Sequence, residues 1–336
     1  MGRGLTKHQG ARIPVQKIIV RSALIFSVMA VLVAFVIIVT ANTANSMMST
    51  KTVTKISIPS NILPPYLPTS FTSFDNQTNL SAWFFKVNNP KSTIVLVHNT
   101  GSNRLQFDVE TVDMIEDFMN LGYNVFLFDQ RNSGESSGNT SAFGYMEWKD
   151  VIGAIDHVRK ISVTQDVILY GIGTGCSSSL LAIYHLPTAT DDSSNYPAKI
   201  RDLDFDRSYV SGLILDSPAK YSDDYLRPVV KQNFRLGFLT QYFVPYAIRI
   251  SSGESENVNL ASQISRLSIP ICIVYGENDL FIGKDIIDQM VTERERLHPN
   301  TTVKQVFENA GYIESYETDS DLYLRVINHY LDTFFG

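Results

Sequence analysis

The chain has 336 residues, 44% of them hydrophobic, with 19 Phe and 16 Tyr, enough apolar material for one large core. Its net charge of −6 is unevenly spread: seven of the 28 basic residues fall before position 56 and no acid precedes Asp75, which leaves 21 basic against 34 acidic residues in the remainder. That acidic remainder argues against nucleic acid as a partner. The only cysteines, Cys176 and Cys272, sit in apolar surroundings and cannot build a disulfide framework. With no C-x-x-C or H-E-x-x-H and six scattered His, neither a metal nor a cofactor is expected.

Ala23 to Val39 is free of charge, with Ser27 its one polar residue. Extended through Ala41, it reaches about 28 Å as a helix at 1.5 Å per residue, enough to cross a thin bilayer. The leader, 1–21, contributes Arg3, Lys7, Arg12, Lys17 and Arg21, so the positive-inside rule leaves the N-terminus in the cytosol. Residues 22–41 read as an uncleaved transmembrane signal anchor, with a cleaved signal peptide as the alternative. M-G-R-G-L-T at the start also fits an N-myristoylation pattern. Sequons at Asn76, Asn79, Asn139 and Asn300 agree with a luminal or extracellular C-terminal domain, hence a glycoprotein. Residues 42–73, rich in Ser, Thr, Asn and Pro, read as a stalk.

From 74 to 336 strand and helix alternate, which predicts an α/β domain with a parallel sheet flanked by helices. Strands are expected at Ser81 to Val87, Thr93 to His98, Asn124 to Asp129, Val167 to Tyr170, Val210 to Asp216, Ile271 to Tyr275 and Val303 to Phe307. Helices are expected from Phe107 to Leu121, from Tyr145 to Ile161 and from Asp321 to Phe335. Residues 217–264 carry Tyr225, Phe234, Phe238, Tyr242, Phe243 and Tyr246 without strand alternation and read as an inserted helical cap.

The densest signal is I-L-Y-G-I-G-T-G-C-S-S-S-L, Ile168 to Leu180. A strand runs into glycines at 171, 173 and 175 and then into a small-residue helix, the pattern of a nucleophile elbow whose apex, Gly173, lacks a side chain. Read as a dinucleotide loop, the third glycine comes one position early and no second strand ending in an acid follows about 20 residues on.

The order of motifs resembles the α/β-hydrolase superfamily, and within it the serine aminopeptidase-like and acylglycerol-lipase-like branch, from about Ser81 onward. V-L-V-H-N-T-G (Val95 to Gly101) stands where that family carries H-G-x-G, and F-D-Q-R-N-S-G-E-S (Phe128 to Ser136) where it carries D-x-R-G-x-G-x-S. Asn99 and Asn132 each replace a glycine. After the elbow come Y-G-E-N-D (Tyr275 to Asp279) and N-A-G-Y (Asn309 to Tyr312). The resemblance implies Asp279 as the retained acid, Gly173 as the vacated nucleophile position and Tyr312 as the vacated histidine position. It also implies Asn99 and Thr174 at the oxyanion hole. Asp279 also fits a turn or N-cap before the helix near Lys284, Asp129 and Arg131 are expected to pair, and Ser177 and His98 are expected to be structural.

A glycine offers no nucleophile and a phenol is a poor base near neutral pH. The first reading is therefore a membrane-anchored serine-hydrolase homologue without catalysis, a pseudoenzyme that binds an apolar small molecule or a protein partner. The alternative is an active hydrolase of esters, acylglycerols or peptides with a non-standard nucleophile, whose cap aromatics line an acyl pocket.

Overall fold

A computed structural model describes residues 15–50, 58 and 61–336. The myristoylation pattern and most of the leader lie outside these residues, as do Lys51 and Lys55. The strands are β1 (Leu67–Thr72), β2 (Asn79–Phe85), β3 (Thr93–Val97), β4 (Asn124–Phe128), β5 (Val167–Ile172), β6 (Val210–Asp216), β7 (Ile271–Gly276) and β8 (Thr302–Phe307). They form one eight-stranded sheet in the order β1-β2-β4-β3-β5-β6-β7-β8. β2 is antiparallel to both β1 and β4, and from β4 to β8 every pairing is parallel.

The helices are α1 (Val15–Ser49), α2 (Thr111–Asn120), α3 (Trp148–Ile161), α4 (Thr174–His185), α5 (Ala198–Arg201), α6 (Ser222–Asn233), α7 (Gly237–Thr240), α8 (Val244–Ser251), α9 (Leu260–Arg266), α10 (Lys284–Leu297), α11 (Ser315–Thr318) and α12 (Ser320–Phe335). Successive side chains of a strand point to opposite faces, so strands covered on both sides are apolar throughout. Ile94, Leu96, Val125, Leu127, Ile168 and Tyr170 face the core under α2 and α12. Their neighbours Val95, Val97, Phe126, Phe128, Val167 and Leu169 face the other core, under α3, α4, α10 and the cap helices α6, α8 and α9.

Two expectations need correction. The stalk at 42–73 is cut from both ends: α1 continues to Ser49, and Leu67–Thr72 is an edge strand, paired with β2 from Leu67↔Phe84 to Thr72↔Asn79. Asp129 and Arg131 do not pair with each other. Asp129 holds Arg104, through the Arg104 N–H at 2.7 Å and its guanidinium at 2.6 Å. Arg131 turns to Asp150 on α3 (2.7 Å) and to Asp75 (2.9 Å). Of these five residues all but Asp75 are buried.

Candidate functional site

The C-terminal ends of β3, β5, β6, β7 and β8 meet at one edge of the sheet, where parallel α/β sheets place their binding crevices. Between β5 and α4 the chain turns at Gly173, with φ 54° and ψ −120°, a conformation closed to most side-chain-bearing residues. Gly175 packs so close to β3 that a Cβ there would lie 1.9 Å from the Val97 carbonyl oxygen. This is the sharp strand-to-helix turn the glycine spacing predicts.

The space above Gly173 is filled. A Cβ built on it would sit 2.4 Å from both Asn99 Oδ1 and Tyr312 Oη. Asn99 Oδ1 accepts from the Thr174 backbone N–H at 3.0 Å and from the Tyr312 hydroxyl at 3.2 Å, with the Thr174 hydroxyl also at 3.2 Å. Asn99 Nδ2 donates to the Thr100 carbonyl at 3.0 Å, which fixes the amide orientation, since a flipped amide would point its NH2 at donors. The neighbouring N–H groups are engaged too: Asn99 N–H donates to Gln106 Oε1 at 2.7 Å and Thr100 N–H to Thr174 Oγ1 at 2.7 Å. Sequence reasoning missed Gln106 and Thr100, because nothing in their spacing ties them to the turn.

Asn99, Gly173, Thr174 and Tyr312 thus come together, and Asp279 stands beside them without a hydrogen bond to Tyr312. Asp279 Oδ1 accepts from the Phe281 and Ile282 N–H groups at 2.8 Å each, while its buried Oδ2 has no partner among the described residues. The helix that follows starts from Gly283, so Asp279 shapes the turn before α10 without capping it. Burial raises the Asp279 pKa, opposed by those backbone donors. Tyr312 stacks on Phe281 with centroids 4.4 Å apart, and burial, then Cys176 and Asp279, push its phenol far above its ordinary value. It is a hydrogen-bond donor here and holds its proton.

The other candidate groups are spoken for. Ser177 is buried and bonds to Ser222. Cys176 Sγ faces the Gly171 and Asp216 carbonyl oxygens at 3.1 and 3.2 Å, and burial pushes its thiol up. His98 donates from Nδ1 to the Asn99 carbonyl at 2.8 Å and accepts the Gln130 N–H at Nε2 at 2.9 Å, a neutral ring whose pKa burial lowers. His157 stacks on Phe71 and His185 on Trp148. Among the described residues no group of three or more His, Cys, Asp or Glu converges as a metal site needs. Tyr225 is buried against Tyr312, whereas Phe238, Tyr242, Phe243 and Tyr246 are exposed.

Beneath the turn lies a buried network that sequence reasoning did not find. Asp216, the last residue of β6, accepts from Tyr323 Oη at 2.8 Å and from Ser217 Oγ at 2.9 Å, and Tyr323 bonds in turn to Tyr170. Ser217 Oγ takes the Ile313 N–H at 3.1 Å. Ser217 and Ile313 have φ of 55° and 54°, strain that this link holds in place. Burial raises Asp216 from 3.8 to about 6, with the Tyr323 and Ser217 hydrogen bonds opposing. A carboxyl whose folded pKa is raised costs nothing well below its unfolded pKa of 3.8, where both states are protonated, and its penalty is complete once the pH passes the folded value of about 6. The wild type is therefore expected to lose roughly 3 kcal/mol relative to Asp216→Asn between pH 3 and 7, read from urea midpoints of the detergent-solubilised chain. A flat difference curve would contradict this.

No family model matches the chain. The uncharacterized protein YqkD of Bacillus subtilis is 21% identical over 247 residues, 72% of this chain and 71% of that one. Among solved structures, the Pyrococcus furiosus esterase Pf2001 superposes with a TM-score of 0.64 at 19% identity, covering 86% of this chain and 99% of its own. The α/β hydrolase GrgF from Penicillium sp. sh18 gives 0.57 at 15% identity, over 81% of this chain and 99% of its own. Est1E from Butyrivibrio proteoclasticus, solved with ferulic acid, gives 0.57 at 13%, over 79% of this chain and 99% of its own. At these identities the likeness speaks for the fold. The chain has the α/β-hydrolase fold, a mostly parallel eight-stranded sheet with an inserted helical cap, preceded by one helix long and apolar enough to cross a membrane.

Proposed function

We propose that this chain is a membrane-anchored α/β-hydrolase-fold protein that has given up acyl transfer and acts by binding. In this reading Gly173 is the vacated nucleophile position, Tyr312 the vacated histidine position and Asp279 the retained acid. One observation carries it: Asn99 Oδ1 sits on the Thr174 N–H, the donor that would meet a developing oxyanion, and also fills the space a nucleophile side chain needs. The site is thus closed by new hydrogen bonds and has not merely lost parts. The motif order favours the branch that resembles serine aminopeptidases and acylglycerol lipases. The occupant would be an apolar small molecule or a protein partner. The basic leader supports a cytosolic N-terminus and a luminal or extracellular domain, on which Asn76, Asn79, Asn139 and Asn300 are all exposed. The test is covalent labelling by a fluorophosphonate, which needs both a nucleophile and an open hole; the native chain is expected to stay unlabelled.

A further inference from the structure

We propose that the free apolar face of the cap helices α7 and α8 lies in the headgroup region of the bilayer that α1 crosses, so that the domain is seated on the membrane. The proposal rests on reading α1 as a membrane span. α1 runs unbroken from Val15 to Ser49, and one stripe of it, Val36, Val39, Thr40, Thr43, Ala44, Met47 and Met48, is buried or half-buried at the spacing of a single helix face. The helices packed on α1 are α8 and α7. Its end is fastened as well: the Met48 carbonyl accepts the Ser141 N–H at 2.8 Å and Asn132 Nδ2 at 3.3 Å, which ties the end of α1 to the loop between β4 and α3.

The depth follows from the anchor. With Arg21 at the cytosolic boundary, about 20 helical residues, 22–41, fill a hydrocarbon layer of roughly 30 Å. Val36, Val39 and Thr40 then lie in its last turns, and what packs on them shares their depth. On its outward side α1 changes from Ile37 and Ile38 to Asn42, Asn45 and Ser46, which marks the water level at the same height. Beside that level α7, α8 and the turn between them expose Phe238, Leu239, Tyr242, Phe243, Tyr246 and Ile250, from 39% to 67% of each side chain's surface. So large a patch is a liability in water, whereas aromatic side chains are favoured at the interface. Exposed Lys231 and Arg235 precede the patch and suit lipid phosphates.

The test uses the full chain in phosphatidylcholine vesicles with one environment-sensitive fluorophore on a new cysteine, the native Cys176 and Cys272 being buried. Tyr242→Cys and Tyr246→Cys probe the face, Leu32→Cys the middle of the span, and Val163→Cys, 76% exposed beyond the opposite end of β5, the water. The face positions are expected to shift to the blue and to be quenched more by lipids brominated near the glycerol than near the methyl end, for an immersion of about 5–10 Å. Leu32→Cys should show the reverse order and Val163→Cys neither effect. If Leu32→Cys is quenched while the face positions behave like Val163→Cys, the inference fails and the anchor stands. If Leu32→Cys also behaves like Val163→Cys, both fail. A blue shift without quenching by either lipid would mean that a second copy of the chain covers the face, which also overturns the proposal.

Discussion

Gly173→Ser combined with Tyr312→His is expected to remain unreactive toward fluorophosphonates, and adding Asn99→Gly is expected to raise the labelling rate by about 10²–10³-fold, the usual worth of one oxyanion donor. The double variant restores the letters of a triad without making room for it. A Cβ at 173 would still lie 2.4 Å from Asn99 Oδ1, and that oxygen would still cover the Thr174 N–H. Removing the Asn99 side chain frees both the space and the donor. Asp279, the carboxylate that would orient an imidazole at 312, has a buried Oδ2 with no partner among the described residues. Gel-based labelling time courses of the two folded variants decide it. Equal labelling of the double and triple variants would show that Asn99 does not close the site.

Replacing Arg131 by Met is expected to destabilise the domain by about 3–5 kcal/mol, since it leaves a buried carboxylate without its cation. Arg131 and Asp150 have side chains 2% and 0% exposed, and Asp150 also takes the Arg131 backbone N–H at 2.9 Å. A double-mutant cycle between Arg131 and Asp150 is expected to show strong coupling, and one between Asp129 and Arg131 little, because Asp129 belongs to Arg104. Urea midpoints measure both cycles. The opposite pattern would restore the pairing that adjacency in the motif suggests.

That pairing shows where the sequence stops being legible. Asp129 and Arg131 stand two letters apart at the end of β4, but their partners come from the loop after β3 and from α3, and only the tertiary fold brings those near. Strands buried on both faces were readable to within two residues at either end, because their apolar runs admit few other structures. β1 was not, because Leu67–Thr72 is an edge strand with Pro68 and mostly exposed residues. The glycines at 171, 173 and 175 announced the turn. Asn99 and Asn132 were visible only as departures from a motif. Their new contacts, with Thr174 and with Met48 at the end of α1, span 75 and 84 residues of chain. The cap aromatics were recognised as apolar, but irregular spacing over short helices does not tell an inward from an outward face.

The most direct measurement is the intact mass of the full native chain after prolonged incubation with a fluorophosphonate, beside an active serine hydrolase in the same vessel. The closed site predicts an unchanged mass while the companion enzyme is fully modified. A stoichiometric adduct on the folded chain, mapping to a residue at the C-terminal edge of the sheet, would contradict it.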